Sequence, residues 1–326
     1  MKHRSIPQFG MSRVGPEGLR QQGVVVVPLM ESVIRDPQRL EPHYHEFFQI
    51  LLLQGRAAVM HDFVEFEVEG VTLVFLSPGQ IHTARPARGL RGTAVSFTQA
   101  LFDQQSPPPS PLLAFPFFYP TDVRPWLTIP AREAKGIVEV FAELQREFDA
   151  AELGAVEILR AMLHILLVRA QRHYEKAHPP QVATRAARLL RQFHLAVEQR
   201  FRETQAVPKY ARLLGVTANH LHDLVREQTG RSAGQVIRER RLLDAKRLLS
   251  HSALSVSEIG YHLGFQDPSY FTRFFRRSVG LTPAEFRGKI REKYQPKAGE
   301  CHSCHLRAGG ARRRLRAHAN GNDRGD

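Results

Sequence analysis

Val207-Pro-Lys-Tyr-Ala-Arg-Leu-Leu-Gly215 and Val256-Ser-Glu-Ile-Gly-Tyr-His-Leu-Gly264 are one short helix, each ending on a glycine, written twice in the same chain. Each copy leads into a second apolar pattern, Leu221, Leu224 and Val225 up to Gly230, and Phe271, Phe274 and Phe275 up to Gly280. The offset is 49 residues before the turn and 50 after it, so one residue has been added where insertions are tolerated. Two units this short cannot each bury a core. They read as one all-helical domain with two helix-turn-helix motifs, 207–228 and 256–279, and a doubled reading head implies a long linear partner.

The charge is distributed to match. Of a net +14, residues 1–184 contribute almost nothing, with 18 Lys and Arg against 19 Asp and Glu. Residues 185–295 hold 21 against 10, and 296–326 hold 7 against 3. A neutral half joined to a basic half suggests a sensing module and a module that holds a polyanion, here double-stranded DNA.

At 326 residues the chain is long enough for two cores. Its two cysteines, Cys301 and Cys304, both lie near the C-terminus, so no disulfide framework is expected, as in a reducing cytoplasm. No apolar run approaches the roughly 20 residues of a membrane span, and the first residues lack a secretory core.

The expected architecture is α+β. Residues 1–23 read as a flexible N-terminus. From Val24 to Phe97, short apolar runs broken by Gly and Pro (24–27, 47–53, 57–60, 63–68, 71–76, 93–97) predict five or six strands of a small antiparallel barrel. The Pro- and Phe-rich stretch 103–128 reads as irregular cover. Two amphipathic helices follow, over 131–150 and 154–174. The first has a stripe of Ile137, Val140, Phe141, Leu144 and Phe148. The second has Ile158, Ala161, Met162, Ile165, Leu166 and Arg169, whose partner is either the barrel wall or the same helices of a second chain. The sensor and dimerisation domain thus spans 24–175 and a linker 176–184. The DNA-binding domain spans 185–295 and a basic tail 296–326, which carries Cys301-His-Ser-Cys304-His305.

In the first reading helix, Asn219, His222, Asp223 and Arg226 lie opposite the apolar face. In the second, Ser269, Thr272, Arg273 and Arg276 do. Base reading is expected from Asn219, His222, Asp223, Ser269, Thr272 and Arg273, since Arg grips guanine and Asn grips adenine with paired hydrogen bonds. Asp223 must accept from a cytosine amine or orient Arg226. Phosphate contacts are expected from Arg226, Arg240, Arg241, Lys246, Arg247, Arg276 and Arg277. A helix over 233–249 would set the spacing of the two heads.

Residues 185–295 resemble the DNA-binding domain of the AraC/XylS family of transcription regulators, through Ile259-Gly, Gly264-Phe265, Ser269-Tyr-Phe271, Phe274-Phe275-Arg276, Gly280-Leu-Thr-Pro283 and Phe286-Arg287. The first copy departs from that pattern at Pro208-Lys209 and Asp223. The N-terminal half is similar to that family's cupin sensor domain through Pro42-His43-Tyr-His45-Glu46, Gly55 and Ser77-Pro78-Gly79-Gln80-Ile81-His82. The resemblance implies a regulator, activator or repressor, that acts with a small-molecule effector, RNA polymerase and a second copy of itself. It implies no enzymatic activity and no cofactor. The effector is expected in the barrel mouth against His43, His45, Phe47, His82 and Trp126. The alternative is a cupin metalloenzyme with a DNA-binding appendage, its metal held by His43, His45 and His82.

Overall fold

The computed structural model describes residues 6–12, 14–103, 112, 115–118, 125–177 and 185–293. A short helix α1 (Glu17–Gln21) leads into strand β1 (Val24–Pro28) and helix α2 (Leu29–Arg35). Strands β2 (Phe48–Gln54), β3 (Ala57–His61), β4 (Val64–Val68), β5 (Val71–Leu76), β6 (His82–Pro86) and β7 (Arg91–Phe97) follow. After α3 (Ala100–Asp103), strand β8 (Trp126–Ile129) returns to the sheet. One sheet runs β1-β7-β2-β5-β8 and the other β4-β3-β6, with every described strand pair antiparallel.

The run 24–27, and the run 48–53 with Gln49 as its one polar member, are buried on both faces. They need to be, because α4 (Ala131–Ala150) packs on β1 while the opposite face fills the barrel. One core takes Val24, Ile50, Val59, Phe75 and Phe97 from the strands, and Phe141, Leu144 and Phe148 from α4.

Several expectations change here. Residues 6–12 and 14–23 carry order that their composition does not advertise: Ile6 and Leu19 are buried, and Gln8 bridges Tyr44. Most of the stretch 103–128 lies outside the described residues; at its end, Trp126–Ile129 is not cover but a strand that pairs with Val71–Val74. Strand β6 was hidden by the alternation of His82, Ala84 and Pro86 with polar residues. On α5 (Ala155–Ala177) the buried stripe is Leu159, Leu163, Leu166, Leu167 and Ala170, not the expected set. Ile158 and Ile165 are instead 43% and 47% exposed. Adjacent apolar pairs such as Ile158-Leu159 and Ile165-Leu166 offer two candidate stripes, and periodicity alone does not rank them.

The C-terminal half begins with α6 (Arg185–Arg200), buried through Leu189, Phe193, Ala196 and Val197. Leu190 and Leu195 are only half-buried. Next come α7 (Val207–Leu213), α8 (Ala218–Thr229), α9 (Ala233–His251), α10 (Val256–His262), α11 (Pro268–Val279) and α12 (Pro283–Lys293). Thr217 accepts from the His220 amide, Ser255 and Glu258 form a capping box, and Asp267 caps α11 ahead of Pro268. Most of the expected linker and the whole expected tail lie outside the described residues.

Candidate nucleic-acid interface

Two frames of the same design present two helices. In each, a short helix ends at a glycine with positive φ, Gly215 at 67° and Gly264 at 78°. A capped second helix then starts after two intervening residues in the first frame and three in the second. Apolar side chains fix each presented helix from behind: Leu221 and Val225 for α8, Phe271 and Phe275 for α11, all fully buried. At Gly260 a Cβ would come within 3.3 Å of the Phe271 side chain, so α10 and α11 are nearly in backbone contact. The rod α9 joins the frames. Its 19 residues span about 28 Å.

The outward faces match the expectation. Asn219, Asp223, Arg226, Ser269, Arg273, Arg276 and Arg277 are exposed; His222 and Thr272 are half-buried. The Thr272 hydroxyl donates to the Pro268 carbonyl at 3.0 Å, which leaves its oxygen free to accept. Asp223 forms no ion pair among the described residues, so it does not orient Arg226 here. Tyr270 adds a group that charge-based reading passed over. It is 56% exposed, and the Arg273 guanidinium lies 5.9 Å from its ring centroid. The i, i+3 spacing of Tyr270 and Arg273 on an amphipathic helix carries that signal.

Three of the expected phosphate contacts are corrected. Arg240 is 8% exposed, and its Nε donates to both Glu198 oxygens at 2.8 Å. Arg241 is 1% exposed, bonds the Leu263 carbonyl at the end of α10, and lies 4.3 Å over the Phe265 ring. Burial brings its pKa down to about 10. Arg247 is 5% exposed and is held by Asp62 of the barrel. All three guanidiniums are spent inside the protein, on a carboxylate or an orphan helix carbonyl, which a count of positive charge cannot foresee. Lys246 is half-buried, and its ammonium is made less basic by desolvation.

In the barrel, His43, His45 and His82 do come together. The His43 and His82 rings lie 4.3 Å apart and those of His45 and His82 4.7 Å. Phe47 stacks flat on His45 at 4.0 Å. Each Nδ1 faces a backbone carbonyl, of Glu41, Phe47 and Gln80, so each Nδ1 carries the proton. Burial holds all three imidazoles neutral, with neighbouring histidines adding to the effect; His45 is brought down to about 3. The edge of Phe9 closes over His43 at 4.9 Å. The cluster is packed ring against ring. Among the described residues no group of three or more His, Cys, Asp or Glu side chains is disposed to hold a metal ion. Trp126 sits on the edge strand β8, stacked on Phe66 at 3.7 Å.

The barrel and the helical domain touch through the turn between β3 and β4. Asp62 and Phe63 fill that two-residue turn with φ of 45° and 72°. Both are non-glycine residues in the left-handed region that a twisted two-residue hairpin demands. The sequence reading began a strand at Phe63, because no Asn-Gly marks the turn. Asp62 also accepts from the Ile81 amide at 3.3 Å, and Phe63 meets Phe286 of α12 edge-on at 5.9 Å. Tyr44 stacks on His251 at 4.0 Å.

Comparison with known proteins adds two family models. An AraC-like ligand binding domain matches residues 34–206, and a helix-turn-helix domain matches residues 210–289. Curated relatives include the HTH-type transcriptional activator RhaR of Yersinia pseudotuberculosis serotype O:3 (strain YPIII), 28% identical over 169 residues, which are 52% of this chain and 57% of that protein. RhaR of Enterobacter sp. (strain 638) is 28% identical over 47% of this chain and 54% of its own. The chain thus spans a little over half the length of the curated relatives it matches. Among solved structures, an AraC-type regulator from Chromobacterium violaceum is 25% identical over 32% of this chain and 92% of its own, with a TM-score of 0.30. Fatty-acid-bound ToxT from Vibrio cholerae strain SCE256 is 11% identical over 85% and 97%, with a TM-score of 0.39.

Proposed function

The chain belongs to the AraC-like family, whose ligand-binding model covers more than half of it, and from that premise we propose that it is a sequence-specific, effector-controlled transcription regulator. The carrying observation is the pair of exposed polar faces on α8 and α11, set on one frame used twice. Each helix would enter a major groove and read bases with Asn219, His222 and Asp223 in one head and Ser269, Thr272 and Arg273 in the other. Arg226, Arg276 and Arg277 would hold phosphates, with Lys246 in a lesser part. The activator reading, through RNA polymerase, draws on the activators among the relatives. A cytoplasmic location follows from the DNA partner; no described helix is long and apolar enough to cross a membrane.

Dimerisation through α5 is supported by Ile158 and Ile165, which leave an apolar stripe uncovered. For the effector, the histidine cluster with Phe47 is the sequence-based candidate. Its rings occupy the space a ligand would need unless the N-terminal segment at Phe9 moves away. No observation favours the metalloenzyme alternative, and the relatives are regulators.

Footprinting on the chain's own upstream region, with a salt titration, tests the reading. Two protected major-groove segments per subunit, about one helical turn apart, are expected. Protection of a single segment would refute the two-head geometry.

A further inference from the structure

A cavity of about 240 Å³ opens on the three-stranded sheet, on the side away from the barrel core. Its size falls below the roughly 300–1,000 Å³ of sites for drug-sized ligands, which restricts it to a small metabolite. The strand register shows how it is built. Ala58 and Met60 share one face of β3 and form the floor. Glu67 and Arg85 flank Ala58 from the two neighbouring strands, and Glu65 and Thr83 flank Met60. Strands lie about 4.8 Å apart, so a row of two carboxylates faces a row of Thr83 and Arg85 about 10 Å away across an apolar strip.

Those charges are too far apart to satisfy each other at the backbone. Among the described residues neither Glu67 nor Arg85 has an ion-pair partner, and both are exposed. Glu65 is different: it holds Lys293 of α12 at 3.3 Å. Met60 is also shared, since it packs in one cluster with Tyr44, Ile81, Phe63 and, from α12, Ile290. Two lining residues of the cavity therefore belong to the contact with the DNA-binding domain, and both lie within two residues of the Asp62-Phe63 turn.

We infer that this cavity binds a small linear zwitterion, with its ammonium at Glu65 and Glu67, its carboxylate at Arg85, and its carbon chain over Ala58 and Met60. The ammonium competes with Lys293 for Glu65, and the chain presses on Met60. Occupancy thereby loosens the barrel from α12. The site stands on the cavity alone; the consequence for DNA rests on the regulator reading above.

The test uses the full chain and 5-aminopentanoate as probe, with pentylamine and pentanoate as single-charge controls. Trp126 is the only tryptophan and stacks on the lining residue Phe66, so its fluorescence reports the cavity, with melting temperature as a second readout. Saturable binding of 5-aminopentanoate is expected, at least tenfold tighter than either control and at least tenfold weaker in E67Q and in R85Q. No saturable change in either readout, equal binding of the three probes, or binding indifferent to both substitutions overturns the site. Saturating probe should also shift DNA affinity at least threefold in the natural chain and not in E67Q; an unchanged affinity overturns the coupling to α12. Failure to bind DNA with no probe present would instead count against the regulator reading, because that assay contains no ligand.

Discussion

Asp62 and Arg247 stand 185 positions apart and meet in a two-point ion pair from which water is excluded. Burial pushes the Asp62 carboxyl up, but the facing guanidinium and its hydrogen bonds more than offset this, so the group stays below the usual carboxylate range. The pair also holds a hairpin turn whose two residues each cost about 1–2 kcal/mol in the left-handed region. D62N keeps a side chain that tolerates that region yet strands a buried cation. It is expected to destabilise the chain by about 3–5 kcal/mol in urea unfolding, whereas the double variant D62N/R247M recovers most of the loss. Equal losses in the single and double variants would show that the charge pairing contributes nothing.

The two turn glycines separate backbone strain from collision. Gly215 has open space where a Cβ would go, so G215A should cost only about 1–2 kcal/mol for its left-handed backbone. At Gly264 a Cβ would run into the Arg202 carbonyl oxygen, with the Arg241 guanidinium 3.0 Å away. G264A should therefore cost clearly more than G215A, and parallel urea midpoints check the order.

Salt dependence distinguishes arginines that face solvent from those that do not. R277A should reduce the slope of log affinity against log salt by about 0.9, the loss of one phosphate contact. R240A should leave that slope unchanged, because Arg240 already serves Glu198. Its effect should appear in stability, about 3–5 kcal/mol for the carboxylate left buried. A slope that drops equally in both variants would return Arg240 to the DNA face.

Acid should destabilise the fold before any carboxylate titrates. Burial lowers His45 to about 3 and His194 and His251 to about 4, with neighbouring charges at Arg39, Arg231 and Arg247 respectively adding to the shift. Unfolding frees each to bind a proton near pH 6.5. Between about pH 6.5 and 4 the unfolded chain holds more protons, so stability is present above that window and lost as pH falls through it, by up to about 1.4 kcal/mol per unit for each histidine. H251F keeps the ring on Tyr44 and removes one proton from the balance. Its stability should fall less steeply with acidification than that of the natural chain.

The helical half was legible because its signals are local: a capping box at Ser255, a proline after Asp267, and apolar spacing on α8 and α11. What escaped depends on contacts distant in sequence. Arg240, Arg241 and Arg247 look like solvent-facing cations until Glu198, the Leu263 carbonyl and Asp62 are brought to them. The buried stripe of α5 was misplaced because Ile158 and Leu159 are equally apolar. Trp126 was expected beside the histidines, and only the pairing of β8 with β5 carries it to Phe66. The histidine cluster itself was foreseen from the spacing of His43, His45 and His82, but not its neutral, closed packing.

The described contacts of the barrel with the helical domain fall on Arg247, His251, Phe286, Ile290 and Lys293, which bracket α10 and α11. The β3–β4 hairpin and its neighbours thus touch α9 and α12, the two helices that flank the second helix-turn-helix. The two copies, alike in their frames, thus differ in their neighbours: the second lies beside the elements that meet the barrel.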